Sequence, residues 1–171
     1  MNAAAQPVRQ AHGGRTACAA PVPATLAGWV LLVMDGLTLA LPQRDIATIE
    51  LTRALQPAEP GGNEIGWLVQ NAEHRPVYCL DRHFASAPML ADAARVCMLF
   101  RSEGRILGLA GARISLLAAD ADISVPPLPV CLARPGSPVI GLALHRDVVV
   151  TVVHAQALAD YLSPLEAVHG G

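Results

Sequence analysis

The sequence contains no lysine, since all 12 of its basic residues are arginine. This absence excludes the phosphate-binding lysine of a P-loop, a Schiff-base lysine and a lysine general base. Charged residues make up only 15 % of the chain, and the formal net charge is −2. A basic surface for nucleic acid is therefore not expected, and we predict no nucleic-acid partner.

Long apolar runs are missing as well. Runs such as residues 29–34 and 148–153 are far shorter than the ~20 residues that a membrane-spanning helix needs, so no direct membrane insertion is expected. The first residues include Arg9 and Arg15 without an apolar segment after them, which argues against a secretory leader. These features predict a cytoplasmic protein.

The cysteines are few, widely spaced and without a C-x-x-C pair, and this pattern favours buried free thiols over disulfides. They are Cys18, Cys79, Cys97 and Cys131. Cys79 with His74 and His83 could provide a thiol nucleophile and a base. However, Cys79 lies in an apolar predicted strand, and the three residues lack the paired spacing of zinc sites. We therefore expect no catalytic residue, no metal site and no cofactor.

What the chain does contain is short apolar segments, and hydrophobic residues reach 53 %. Residues 29–34 and 37–41 flank Asp35-Gly36, a dipeptide that favours a type I′ hairpin turn. The same reasoning predicts eight to ten short strands, separated by prolines and turns, with a helix over residues 155–162 before Pro164. The remaining predicted strand pairs are residues 95–100 with 106–110, and 138–144 with 148–153.

Smaller features are predicted between these hairpins. Residues 56–63 contain two prolines and two glycines and are expected to form a loop. Residues 89–94 follow Pro88 and could form one helical turn.

The most informative stretch is residues 66–81. It predicts a strand over residues 66–70, a polar turn over 71–75 and a second strand over 76–80. Pro76 is placed at the start of the second strand because proline has no backbone N–H to give to a ladder.

This stretch resembles the centre of the CheW-like domain of bacterial chemosensory systems. That family reads roughly G-hydrophobic-hydrophobic-N-L-R-G-E-x-hydrophobic-P-hydrophobic-hydrophobic-D-L. The family's Arg-Gly is replaced here by Asn71-Ala72, and its Asp by Cys79. In an earlier segment of the chain, Thr48 takes the place of a glutamate of the family. The residues in register with the pattern are Gly66, Glu73, Pro76, Val77 and Leu80.

The resemblance covers approximately residues 27–162 and implies a mainly all-β fold. It implies two small SH3-like β-barrels that share a core, with a short C-terminal helix. We accordingly expect a mobile N-terminal tail over residues 1–25, a CheW-like domain over 26–162 and a C-terminal tail over 163–171.

The resemblance also implies a non-catalytic adaptor that links receptor tips to the regulatory domain of a histidine kinase. The edited motif suggests an accessory member, for example in a pilus-motility pathway. The partner-binding positions that carry over are Thr48, Gly66, Asn71 and Gly141. Since asparagine cannot form the bidentate carboxylate pair of an arginine, Asn71 is expected to weaken or redirect that contact. Restoring arginine at this position and measuring partner affinity tests the expectation.

A second interpretation remains open from the sequence. The chain could be a ligand-sensing or inhibitory module that no longer couples to a kinase. In that case the polar residues Asn71, His74 and His154 would line a small-molecule pocket.

Overall fold

The computed structural model describes residues 28–59, 62–118, 123–129 and 131–163. The predicted tail over residues 1–25 and residues 164–171 lie outside this part of the chain. Within it, the fold is mainly β, with one α-helix, α1 (Ala155–Leu162). The strands are β1 (Trp29–Val33), β2 (Thr38–Pro42), β3 (Ile46–Leu51), β4 (Gln56–Pro57), β5 (Gly66–Gln70), β6 (Glu73–Leu80), β7 (Ser86–Ala87), β8 (Val96–Ser102), β9 (Arg105–Gly111), β10 (Arg113–Leu116), β11 (Val139–His145) and β12 (Val148–Val153).

The strands form two curled sheets. The first has the order β10-β1-β2-β12-β11, and the second has the order β3-β8-β9-β6-β5-β4, with β7 paired to β6. Each sheet contains one parallel pair, β2–β12 in the first and β6–β9 in the second. The predicted architecture of two small barrels with a short C-terminal helix is confirmed, and we call the two sheets the first and second barrel.

Alternation along the strands explains how both barrels share one core. In β6, Tyr78 and Leu80 face the core between the barrels, whereas Val77 and Cys79 face the interior of the second barrel. In β2, Leu39 and Leu41 also face the core between the barrels, as the alternation of leucines in the sequence predicts. The shared core is formed by Val30, Leu32, Met34, Leu39, Leu41, Tyr78, Leu80, Met98, Phe100, Leu107, Leu109, Val153, Ala155, Leu158, Ala159 and Leu162.

Helix α1 closes this shared core at one side, and its predicted bounds are confirmed. Its buried residues follow the spacing of one helical face, and the same residues belong to the shared core. Polar contacts hold the opposite face: Arg105 pairs with Asp160 at 2.7 Å, and the Tyr161 hydroxyl donates to the Phe84 carbonyl oxygen at 2.7 Å. No helix within the described ranges has the length and apolarity to cross a membrane.

The turns between paired strands agree with the sequence in part. Asn71-Ala72 and Arg146-Asp147 form two-residue turns in which both residues have positive φ. The prediction of a type I′ turn at Asp35-Gly36 is wrong, because only Gly36 has positive φ, at 71°. The connection there is longer, with the Met34 N–H donating to the Leu37 carbonyl oxygen at 2.7 Å.

Three further expectations need correction. The second strand of the central hairpin begins at Glu73, so Pro76 lies inside β6. Its missing N–H is tolerated because the register with β9 begins only at Val77. The predicted loop after residue 55 contains strand β4, and residues 89–94 form a turn without a helix.

Candidate functional site

The exposed face of strand β3 is the most unusual surface of the second barrel. Ile49 lies opposite Met98 and Leu51 lies opposite Val96, so both side chains share a sheet face with the shared core. Nevertheless Ile49 is 49 % exposed and Leu51 is 45 % exposed. Strand β3 is an edge strand of its sheet, and these two side chains are left about half exposed there.

Strand β10 is an edge strand of the first barrel, and it also has an exposed apolar residue on the face of the shared core. Leu116 lies opposite Val30, a residue of the shared core, yet Leu116 is 58 % exposed. Strand β10 contacts β8, which is the neighbour of β3 in the second barrel. We use the name inter-barrel groove for three exposed apolar residues on sheet faces that carry the shared core, namely Ile49 and Leu51 of β3 and Leu116 of β10.

Open strand edges border this groove. Among the described residues, β3 and β10 each pair with a strand on one side only. Exposed apolar side chains beside free backbone donors and acceptors are typical of a surface that docks another protein chain. The sequence did not reveal Ile49, Leu51 and Leu116 as candidates, because an apolar residue in a short strand is normally buried. The only local signal is the apolar-Glu-apolar alternation at residues 49–51.

Thr48 and Asn71 lie on the second barrel near this surface. Thr48 is half-buried on β3 opposite Leu99, so it faces the barrel interior and not the groove. Asn71 is exposed in the β5–β6 turn with a φ of 50°. The Nε2 of Gln70, the residue before Asn71, donates to Oε1 of Glu50 on β3 at 2.9 Å. This bond joins β3 and β5, which lie far apart in the sheet order, and brings the hairpin beside the groove strand.

The two predicted glycines lie elsewhere. Gly66 is buried in β5, where a Cβ would meet the Gln56 carbonyl oxygen and would lie 2.7 Å from Cγ of Leu55. This close approach explains the presence of glycine at position 66 by packing, without any role in binding. Gly141 is buried in β11 of the first barrel, opposite Val152 and bridged to Pro127. The structure therefore does not bring the four predicted positions into one site, and their binding roles stay predictions.

The thiols of the second barrel are structural in character. Burial raises the pKa of Cys79, and burial together with the charge of Glu50 raises the pKa of Cys97 to about 11. Protonated thiols are poor nucleophiles and poor metal ligands. Cys131, in contrast with the prediction of buried thiols, is exposed. Within the described ranges, no cluster of three metal-ligating side chains occurs.

A small cavity lies beside Cys79, lined also by Met34, Asp35 and several alanines. It offers about 10 Å³ to the centre of a water-sized molecule, which is room for about one water. None of Asn71, His74 and His154 lines this cavity. His154 instead precedes α1, remote in the chain from the hairpin that carries Asn71 and His74.

Comparison with known proteins agrees with the architecture. The structure is similar to the crystal structure of the scaffolding protein TtCheW from Thermoanaerobacter tengcongensis, with a TM-score of 0.57 and 17 % sequence identity. The similarity covers 80 % of this chain and 92 % of that chain. No protein-family model and no curated protein sequence matches the chain. The chain thus has a CheW-like fold with a strongly diverged sequence.

Proposed function

We propose that this chain is a non-catalytic adaptor of a bacterial chemosensory system. It would link the cytoplasmic tips of receptors to the regulatory domain of a histidine kinase, in the cytoplasm. The diverged motif at Asn71-Ala72 and Cys79 makes an accessory role, for example in a pilus-motility pathway, the preferred form of this proposal.

The observation that carries the proposal is the inter-barrel groove on a CheW-like fold. Its apolar side chains are half exposed although they share a sheet face with the shared core. Keeping such side chains in water has no benefit for the isolated chain, whereas covering them with a partner removes apolar area from water. A docking surface explains this feature without requiring any chemistry.

The alternative of a ligand-sensing module has weaker support. A small-molecule site normally occupies several hundred Å³. The cavity beside Cys79 has room for about one water, and the polar residues named for that alternative do not line it.

The direct test is titration calorimetry of the full chain with two partners from the same genome. One is the isolated regulatory domain of the histidine kinase, and the other is a receptor cytoplasmic tip. Binding to both in the micromolar range is the expected result. Binding to neither would overturn the proposed function.

A charge placed in the groove should weaken docking there without unfolding the protein. We expect Leu51→Lys to weaken the binding of whichever of these two partners docks in the groove by about tenfold or more, since buried apolar anchors dominate interface energies. Leu132→Lys is the matched control, because Leu132 is 51 % exposed and Leu51 is 45 % exposed. Calorimetry and circular dichroism measure affinity and folding, and equal affinities for the two variants would contradict the groove as the interface.

A further inference from the structure

The connection between β6 and β7 holds an aromatic residue in a strained backbone conformation. Phe84 has a φ of 64°, in the left-handed region that bulky side chains rarely adopt. Its ring packs against the shared core. Strain of this kind persists only where neighbouring contacts fix the backbone, so the contacts of Phe84 show what holds the connection in place. We call this connection, residues 81–85, the strap.

One set of contacts closes the strap on itself. Oδ1 of Asp81 accepts hydrogen bonds from the N–H of His83 at 2.8 Å and from the N–H of Ala85 at 2.9 Å. The Asp81 N–H donates to the Ala85 carbonyl oxygen at 2.9 Å, and the Phe84 N–H donates to the Asp81 carbonyl oxygen at 3.0 Å. The bond from the Ala85 N–H lowers the pKa of the Asp81 carboxyl below its ordinary value, so this acceptor is ionised at neutral pH.

A second set of contacts ties the strap to α1. The hydroxyl of Tyr161, in the last turn of the helix, donates to the Phe84 carbonyl oxygen at 2.7 Å. The two rings also meet, with their centroids 5.5 Å apart and their planes inclined at 54°. Aromatic rings at this separation attract each other. One residue of α1 therefore contacts both the backbone and the ring of the strained residue.

The strap also lies against the first barrel. Gly36, in the connection between β1 and β2, is so near Arg82 that a Cβ at position 36 would lie 3.1 Å from the Arg82 Cβ. Strand β12 of the first barrel leads directly into α1. The strap thus extends from the second barrel and contacts two segments that belong to the first barrel or follow it.

We propose that the strap is a latch for α1, and that strap and helix open together as one local unit while both barrels stay folded. The strain at Phe84 favours opening, and the contacts made by Tyr161 and Asp81 oppose it. Such local units open at a lower free energy than the whole molecule unfolds. Opening exposes the Phe84 ring and the apolar face of α1, which provides a second state that a binding partner can select. This latch is independent of the proposed function.

Removing one hydroxyl tests the latch with little other disturbance, because Tyr161→Phe retains the ring that contacts Phe84. The loss of this hydrogen bond should raise the open population about fivefold. Amide hydrogen exchange, followed by NMR, should therefore become about fivefold faster both in the strap and in the last turn of α1. Unchanged exchange in either segment would contradict the latch.

Asp81→Ala tests the coupling from the other side, because both bonds to the Asp81 carboxylate come from within the strap. The Phe84 amide is the reporter of the strap, since its acceptor is a backbone carbonyl oxygen that remains in the variant. We expect exchange of the Phe84 amide and of the helical amides of α1 to accelerate by the same factor. Asp92→Ala is the matched control, because it removes an exposed carboxylate from a different turn, and it should change neither segment.

Two outcomes of Asp81→Ala would overturn the inference. Faster exchange in the strap alone would mean that α1 stays docked without the latch. Faster exchange throughout the chain, including the amides of β8 in the second barrel, would mean that the variant lowers global stability and that no separate unit exists.

Trypsin gives an independent measurement, because Arg82 is exposed within the strap. Proteolysis of a transiently open segment follows the population of its open form. Cleavage after Arg82 should become about fivefold faster in Tyr161→Phe, relative to cleavage after Arg146 in the β11–β12 turn. An unchanged ratio of the two cleavage rates would show that Tyr161 does not hold the strap closed, and the inference would fail.

Discussion

At the scale of single residues, several positions are determined by how closely two parts of the backbone approach each other. A Cβ on Gly111 would lie 2.6 Å from Cδ1 of Leu32 and 2.8 Å from the Val33 carbonyl oxygen. Gly66 has an equally crowded position against Gln56, where β4 meets β5. In both cases the obstacle includes backbone, which cannot rotate away as a side chain can.

Gly66→Ala should therefore destabilise the protein by about 1–3 kcal/mol, the usual range for overpacking. The free energy of unfolding is measured by urea denaturation. Gly62→Ala is the control, because the nearest described atoms to a Cβ there belong to the flexible carboxylate end of Glu64. Similar losses for the two variants would contradict the packing explanation of Gly66.

The thiol of Cys97 makes the stability depend on alkaline pH. Burial, followed by the negative charge of Glu50, raises its pKa from 9.0 to about 11 in the folded protein. The native state therefore keeps the proton that the unfolded chain releases above pH 9. This contribution is complete below pH 9 and is lost as the pH rises to about 11.

We expect the free energy of unfolding to fall less steeply between pH 9 and pH 11 in Cys97→Ala than in the wild type. Urea denaturation at several pH values in this interval measures the slope. Cys131→Ala is the control, because Cys131 is exposed. An unchanged slope in Cys97→Ala would show that other groups cause the alkaline loss.

At the scale of elements, α1 is held against the barrels by burial of its apolar face and by polar contacts on its exposed face. Its apolar face completes the shared core, and Arg105, Gln156 and Asp160 form an exposed polar network on the other face. Exposed ion pairs contribute little because water competes for both partners. Burial should therefore dominate the stability of the docked helix.

Leu158→Ala should cost about 2–5 kcal/mol of unfolding free energy, since Leu158 is fully buried in the shared core. Asp160→Ala, which removes the ion pair with Arg105, should cost less than about 1 kcal/mol. Thermal and urea denaturation of both variants measure this ranking. A larger loss for Asp160→Ala would mean that the polar network holds the helix.

At the scale of the whole molecule, the two barrels have separate interiors but one common core. The shared core takes side chains from β1 and β2 of the first barrel and from β6, β8 and β9 of the second. Neither barrel can leave the other without exposing these large side chains to water. The free energy of this burial couples the two barrels.

We expect the two barrels to unfold in a single cooperative transition. Trp29 packs against the interior of the first barrel and Trp67 lies on β5 of the second, so each tryptophan reports on one barrel. In Trp67→Phe and in Trp29→Phe, the urea midpoint from fluorescence should equal that from circular dichroism. Midpoints that differ within one variant would show that the barrels unfold separately.

The sequence predicted local elements well where a regular pattern coincided with turn residues. The helix over residues 155–162 and the hairpin of β11 with β12 agree with the structure, because apolar periodicity and breakers acted together. The start of β6 was predicted three residues late. Polar side chains at Glu73–Arg75 indicated a turn, whereas pairing with β5 extends the strand through them.

The candidate surface was only partly accessible from sequence. Resemblance to a family pointed to Thr48 and Asn71, which lie on the strand of the surface and in a neighbouring turn, but Thr48 faces the interior of the second barrel. From the sequence alone, Ile49 and Leu51 cannot be told from ordinary core residues. Their burial depends on whether another part of the fold covers them. No local pattern carries that information.

The sequence by itself determined the alternation that sends side chains to two faces, most of the hairpins and the extent of α1. These features depend on neighbours within a few residues, and the chain carries that information locally. Only the tertiary structure decided which margin of the shared core stays exposed, and that the backbone segments of Thr52, Arg95 and Gly111 are hydrogen-bonded to one another. Such proximity arises from strand order and from hydrogen bonds between distant segments, which sequence spacing does not encode.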